Sequence, residues 1–216
     1  TTGEPKGALL SNSAIEWNAV NATHMHDLTG DDVVLTVLPM FHVGGLDIQT
    51  LPALHAGATV VLHSRFEPGL FFDAIEQDGI TLTLLVPTAM HALMNDPRWQ
   101  SADLSDLRII GVGSTVVPQE MVRAVCERGV PLVQVYGSTE TAPIAAYMPY
   151  REIIQKPAST GKPAIHCEIR LVDEDAREVV TGEKGEILVR GPNVMTEYWD
   201  NPEATTAAFT DGWFHT

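Results

Sequence analysis

Apolar residues follow two rhythms over the first two-thirds of the chain. Residues 33–38 are a short apolar run suited to a buried strand, and residues 59–63, 80–86, 107–112 and 132–136 also read as strands. Longer segments with helical spacing lie between them. Ser13-Ala14-Ile15-Glu16 reads as a capping box that opens a helix to about residue 26. Residues 45–55 read as a helix closed by Gly57, and Pro68 suits the first turn of a helix that ends before Gly79. Pro87 opens a further helix, and residues 118–127 read as another, stopped near Gly129.

The resulting βα unit repeats at about 25 residues, which predicts an α/β fold: a largely parallel sheet with helices on both faces. Ligands of such sheets bind at the carboxyl ends of the strands. The loops at 39–45, 111–118 and 136–141 all follow strands and are the candidate site. After about residue 150 the pattern changes. Residues 168–172 and 186–190 alternate in strand fashion around an acidic, glycine-containing connection. Two units are therefore expected, an α/β subdomain over 1–150 and a partial, small β-rich subdomain over 151–216.

Composition narrows the partners. Thirteen basic residues against 28 acidic ones give a formal net charge of −15. That balance disfavours nucleic acid and anionic membranes as partners, so any nucleotide site must build its own local positive field. No apolar run approaches the roughly 20 residues of a membrane span. The two cysteines, Cys126 and Cys167, show no metal spacing and read as reduced thiols of a cytoplasmic protein. His24 and His26 share a predicted helix but face different sides, which argues against a metal pair.

Four segments carry candidate chemistry. Thr1-Thr2-Gly3-Glu4-Pro5-Lys6-Gly7 combines glycines that turn backbone N–H groups toward an anion with hydroxyl donors and one lysine. It is not the nucleotide loop in which the lysine is followed by Ser or Thr, and a plain turn between strands explains it equally well. Tyr136-Gly137-Ser138-Thr139-Glu140 places an aromatic face, a flexible turn, two hydroxyls and a hard carboxylate ligand at a strand end. A helix start with Thr139 as N-cap is the plain alternative. Gly113, Ser114 and Thr115, in the loop 111–118, are expected at a helix N-terminus, or simply in a βα turn. In Pro39-Met40-Phe41-His42-Val43-Gly44-Gly45, His42 follows a strand and is either structural or a site residue.

Taken together and in this order, these segments resemble the adenylate-forming enzymes, the superfamily of acyl-CoA synthetases, adenylation domains of peptide synthetases and luciferases. The stretch Gly185 to Gly191, with Tyr198, Asn201-Pro202-Glu203 and Asp211-Gly212-Trp213, extends the resemblance over essentially the whole chain. It implies that Thr1, Thr2, Gly3 and Lys6 hold the β- and γ-phosphates of ATP. Gly113, Ser114 and Thr115 would line the adenine and acyl pocket. Tyr136 would stack on adenine, and Gly137 and Ser138 would lie beside nucleotide and acid. Thr139 would hold the α-phosphate, Glu140 would bind Mg²⁺, and His42 would border the acid. Lys6, Thr139 and Glu140 are the expected catalytic groups.

The implied reaction is the attack of a carboxylate on the α-phosphorus of ATP, with pyrophosphate leaving and CoA then displacing AMP. No aspartate stands between Phe41 and Gly45 to meet a substrate amine, so the acid is expected to lack an α-amino group. An adenylation domain serving a carrier protein and a non-catalytic nucleotide-binding module remain alternatives, and a homodimer is allowed. Thr1 stands inside a motif, and the chain stops before the family's ribose-binding aspartate and mobile domain. The expectation is thus the central fragment of a larger enzyme.

Overall fold

The computed structural model describes residues 4–216. Strand β1 (Ala8–Leu9) leads into helix α1 (Asn12–His26). The helix begins earlier than the Ser13–Glu16 box implies. Ser11 is the extended N-cap residue, and its Oγ accepts the Ala14 N–H at 3.0 Å, which leaves Ser13 inside the first turn.

Seven strands form the main sheet. β2 (Val33–Thr36), β3 (Thr59–Leu62), β4 (Leu82–Leu85), β5 (Ile109–Val112) and β6 (Leu132–Tyr136) are parallel, in the order β3-β2-β4-β5-β6. β7 (Ala146–Met148) and β8 (Lys162–Pro163) add antiparallel strands beyond β6. The segments read as strands are strands; four are shorter by one to three residues where the ladder gives way to loop, and residues 132–136 are a strand in full.

Neighbouring residues of a strand point to opposite faces, so each strand feeds two cores. Leu35, Leu85, Ile110 and Leu132 pack on Phe71, Phe72, Met90 and Val122. These come from α4 (Pro68–Asp78), α5 (Pro87–Asn95) and α6 (Gln119–Glu127). Val34, Leu84, Ile109 and Val133 pack instead on Met25 of α1 and on the segment 43–56. Burying each such large side chain contributes about 1.5–3 kcal/mol, and burial on both faces explains why apolar residues occupy successive positions of these strands.

The segment 43–56 departs from a simple helix. It runs as α2 (Val43–Gly45), a π-helical turn (Leu46–Thr50) and α3 (Leu51–Ala56). Thr50 Oγ1 reaches back to the Gly45 carbonyl at 2.8 Å, a side-chain bond that accompanies the widened turn. Gly57 ends α3 in the left-handed region (φ 79°), its N–H donating to Ala53 and Leu54 carbonyls.

The C-terminal part builds a four-stranded antiparallel sheet from β9 (Glu168–Val172), β10 (Glu186–Arg190), β12 (Phe209–Thr210) and β13 (Trp213–His215). Arg170 and Arg190 stack over Trp213 at 4.3 and 4.4 Å from its ring centroid. β11 (Glu197–Tyr198) joins neither sheet; it pairs with β1, Ala8 opposite Tyr198 and Leu9 opposite Glu197. Helix α7 (Pro202–Ala208) follows it. No helix among the described residues is long and apolar enough to cross a membrane.

Candidate active site

The candidate loops emerge at the carboxyl ends of the parallel strands. Tyr136 closes β6, and its hydroxyl lies 2.8 Å from Thr216 Oγ1. Gly137 then turns under tight constraint, because a Cβ there would collide with the Pro143 carbonyl oxygen. The close approach of two backbone segments, rather than an unusual φ, is what demands glycine at this position.

The next residues form a 3₁₀ turn, Thr139–Thr141, capped from Ser138 rather than from Thr139. The Ser138 N–H donates to Thr141 Oγ1 at 3.0 Å, and Thr141 Oγ1 donates in turn toward the carbonyls of Ser138 and Pro143. Thr139 is exposed and Glu140 half-buried. Ser138 Oγ is buried with no hydrogen-bond partner among the described residues, so a hydroxyl is left available at this bend.

A strap from the C-terminal part holds this turn. Asn193, fully buried, donates through Nδ2 to the carbonyls of Thr141 (2.6 Å) and Ile144 (3.1 Å). The Met195 N–H donates to the Glu140 carbonyl at 2.7 Å. The Tyr198 hydroxyl donates to Glu140 Oε1 at 2.8 Å. The same strap grips the segment after Lys6: Trp199 N–H donates to the Gly7 carbonyl at 2.7 Å, and Thr196 N–H to that of Leu9 at 3.0 Å. Lys6 is thereby brought to this place, its Nζ 4.4 Å from the centroid of the Tyr198 ring. Lys6 and Glu140, far apart in sequence, converge on one tyrosine. Thr1, Thr2 and Gly3 lie outside the described residues.

Glu140 has the properties of a divalent-cation ligand. It is a half-buried carboxylate with one oxygen oriented by a phenol and no cationic side chain within salt-bridge distance among the described residues. Mg²⁺ takes one or two protein carboxylates and keeps most of its other ligands as waters and phosphates, so the single carboxylate fits. Burial, then the Glu140 hydrogen bond and charge, push the Tyr198 phenol up to about 12, which keeps it a donor at neutral pH.

The glycine loop after β5 differs from expectation. Gly113, Ser114 and Thr115 do not sit at the helix N-terminus. α6 starts at Gln119 with Pro118 as its cap residue, so two residues, Val116 and Val117, separate Thr115 from the cap position. Pro118 combines φ −61° with an extended ψ of 136°, which delays the helix. Gly113 lies flat on β6, where a Cβ would come within 2.6 Å of Val135 Cγ1. Ser114 adopts φ 73° and, with Thr115, faces solvent.

His42 is the N-cap residue of α2, its Nδ1 accepting the Gly44 N–H at 2.9 Å. That bond leaves the neutral ring's proton on Nε2, on an exposed side chain. Gly45 must be small, since a Cβ would meet the Leu38 and Pro39 carbonyl oxygens at 2.6 and 2.5 Å. Beside this loop, at the ends of β2, β3 and β4, opens a cavity of about 640 Å³ lined by Met40, Phe41, His63, Arg65, Phe66 and Val86 among others. Asn18 of α1 ties the two loop systems together, donating to the Asp47 carbonyl at 2.6 Å and accepting the Ile144 N–H at 3.0 Å.

Sequence reasoning did not identify Asn18, Asn193 or the pairing of Tyr198 with Glu140. Their only local signal is a polar side chain within an otherwise structural stretch. His24 is exposed and His26 buried, and no group of three or more metal-ligating His, Cys, Asp or Glu side chains occurs among the described residues. Cys126 and Cys167 are both free thiols.

A family model described as "AMP-binding enzyme" matches residues 1–199. The chain is 58% identical over its whole length to an indoleacetate–CoA ligase of Aromatoleum aromaticum, covering 42% of that protein. It is 43% identical to a feruloyl-CoA synthase of Amycolatopsis, covering all of this chain and 44% of that one. Among solved structures, o-succinylbenzoate coenzyme A synthetase from Bacillus subtilis, in complex with ATP and magnesium ion, superposes with a TM-score of 0.91 at 32% identity. That match covers 100% of this chain and 44% of the synthetase. The chain thus spans less than half the length of the curated relatives it matches.

Proposed function

Because the chain belongs to the AMP-binding enzyme family, we propose that it supplies the nucleotide- and acid-binding core of an ATP-dependent carboxylate–CoA ligase acting on an aromatic acid. The observation that carries this reading is the convergence of Lys6 and Glu140 on Tyr198, which sets a cation and a metal-binding carboxylate side by side.

A carboxylate is a poor acylating agent until its oxygen becomes a good leaving group. In the proposed reaction the acid attacks the α-phosphorus of ATP, pyrophosphate departs, and the CoA thiol then takes the acyl group with loss of AMP. Two anions must meet, so positive charge and fixed donors supply much of the rate. Lys6, together with Thr1, Thr2 and Gly3, is assigned to the β- and γ-phosphates. Thr139 is assigned to the α-phosphate and Tyr136 to the adenine face. Gly113, Ser114 and Thr115 are assigned to the rim of the nucleotide and acid pocket, with Gly137 and Ser138 at its floor. Glu140 would hold Mg²⁺, which when bound neutralises phosphate charge.

His42 is assigned to the border of the acid. Its Nδ1 is engaged by Gly44, so only the Nε2–H can meet a substrate oxygen. The aromatic class is supported by the names of the 58% and 43% identical relatives, indoleacetate–CoA ligase and feruloyl-CoA synthase. The cavity lined by Phe41, Phe66 and Met40 supports it further. The absence of an aspartate between Phe41 and Gly45 supports an acid without an α-amino group.

The test uses the longer protein that contains this chain. Pyrophosphate release from ATP is followed over aryl, fatty and dicarboxylic acids, with and without CoA. Aryl-acid-dependent release with formation of a CoA thioester is expected, and Glu140→Gln should lower the rate about 10²-fold or more. Release without thioester would move the reading to a carrier-protein acceptor, and no release with any acid would end the enzyme reading.

A further inference from the structure

Tyr198 does more than fill a small core. Its ring is 5% exposed and packs with Met195 and Phe214, its N–H donates to Thr205 Oγ1 at 2.9 Å, and its backbone pairs with Ala8. It is therefore fixed from three sides. The two groups that touch its polar and π surfaces both end side chains with several rotatable bonds. Lys6 is an exposed side chain with four rotatable bonds, and Glu140 is a half-buried carboxylate on a one-turn 3₁₀ segment. The lysine ammonium lies over one face of the ring, and the carboxylate accepts the hydroxyl's hydrogen bond.

We propose that Tyr198 is a positioning residue that couples the two halves of the phosphate site: its hydroxyl orients Glu140 for a divalent cation, and its ring seats Lys6 for the polyphosphate. The proposal rests on the reading of Glu140 as a cation ligand and deepens it. Glu140 Oε1 is committed to Tyr198, while Oε2 has no hydrogen-bond partner among the described residues. One oxygen is thus held and the other left to ligate, the arrangement by which outer hydrogen bonds orient carboxylate ligands. Lys6, Tyr198 and Glu203 also line a concavity of about 580 Å³, so the seated ammonium faces open space.

The experiment separates the two couplings at equilibrium, without acid and hence without turnover. The affinity of the full-length protein for ATP is measured by calorimetry in Mg²⁺ and again in EDTA, for wild type, Tyr198→Phe, Tyr198→Leu and Glu140→Gln. Tyr198→Phe keeps the ring and loses the hydroxyl. It is expected to reduce the Mg²⁺ enhancement of ATP binding by about tenfold while leaving the EDTA value unchanged. Tyr198→Leu should lose the same enhancement and also weaken ATP binding in EDTA by about threefold. Thermal unfolding of Tyr198→Phe should match wild type, which excludes a general loss of folding. A wild-type Mg²⁺ enhancement in Tyr198→Phe, alongside its loss in Glu140→Gln, would overturn the coupling and leave Glu140 standing as the ligand. An undiminished enhancement in Glu140→Gln would remove both the ligand assignment and this inference.

Discussion

Arg108 clasps Asp32 through three contacts, Nε at 3.1 Å and Nη2 at 3.0 Å from Oδ1, and Nη2 at 2.9 Å from Oδ2. The same carboxylate accepts from Thr81 Oγ1 at 2.7 Å and from the Thr29 N–H at 2.8 Å, and Arg108 Nη1 donates to the His26 carbonyl at 2.8 Å. These groups join the end of α1 to the entry sides of β2, β4 and β5, at the amino ends of the strands and so opposite the candidate site.

Asp32→Asn should therefore reduce stability and spare binding. Asp32 is 4% exposed but the Arg108 side chain is 37% exposed, and breaking one partner of such a half-buried, hydrogen-bonded pair costs about 1–3 kcal/mol. Burial alone would raise the Asp32 pKa, but hydrogen bonds from Thr81, Thr29 and Arg108, with the Arg108 charge, outweigh it and hold the pKa below 3.8. A depressed carboxyl pKa contributes stability that is present above the unfolded value and lost as pH falls through the folded one. Urea denaturation should show the wild-type advantage over Asp32→Asn constant from pH 5 to 8 and shrinking below about pH 4. An advantage unchanged down to pH 3, or a shifted KM for ATP, would contradict this account.

Asp47 has the opposite sign. It is 3% exposed in the π-helical turn, its Oδ1 has no partner among the described residues, and burial pushes its pKa up to about 6. A raised carboxyl pKa favours the protonated fold, so the contribution is fully present below the unfolded value of 3.8 and is lost as pH rises through about 6. Above pH 6 the fold carries a poorly solvated charge. Asp47→Asn should raise stability at pH 8 by about 1–2 kcal/mol and change little at pH 4. Equal unfolding midpoints for the two proteins at pH 8 would show that water or a partner satisfies the carboxylate.

How far the sequence could be read depended on whether a feature was local. The central parallel strands were legible because both faces are buried, so that apolar residues occupy successive positions, as at Leu84 and Leu85 or Ile109 and Ile110. The Tyr136–Glu140 motif was legible as a compact set of donors and a carboxylate after a strand. The start of α1 was misplaced by two residues because Ser11 and Ser13 are equally good caps in isolation, and only the backbone at Ser11 is extended. The delayed start of α6 depends on the extended backbone at Pro118, and the π turn at 46–50 on the Gly45–Thr50 contact. Least legible was the strap: Tyr198 reaches Glu140 across 58 residues, and Asn193 reaches Thr141 across 52. Hydrogen bonds of that range leave no periodicity in the chain.

Asn193 provides the clearest way to separate this strap from the proposed catalytic groups, because it touches only backbone and a thiol. Its Nδ2 satisfies two buried carbonyls, of Thr141 and Ile144, and its Oδ1 accepts from Cys167 Sγ at 3.0 Å. Burial pushes the Cys167 thiol up to about 11, against the opposing hydrogen bonds of Asn193 and Asn21, so it remains a neutral donor. Asn193→Ala leaves these buried groups unpaired, at about 1–3 kcal/mol for each carbonyl that water cannot reach. The Thr139–Thr141 turn should then lose its fixed position relative to Lys6. The expected outcome is a stability loss of about 2–4 kcal/mol in urea denaturation, with a raised KM for ATP at temperatures where the variant remains folded. Asn193→Asp keeps one acceptor oxygen but loses the donors, and should behave like the alanine variant. A variant as destabilised as expected but with a wild-type KM for ATP would show that the strap holds the fold together without setting the geometry of the Glu140 turn.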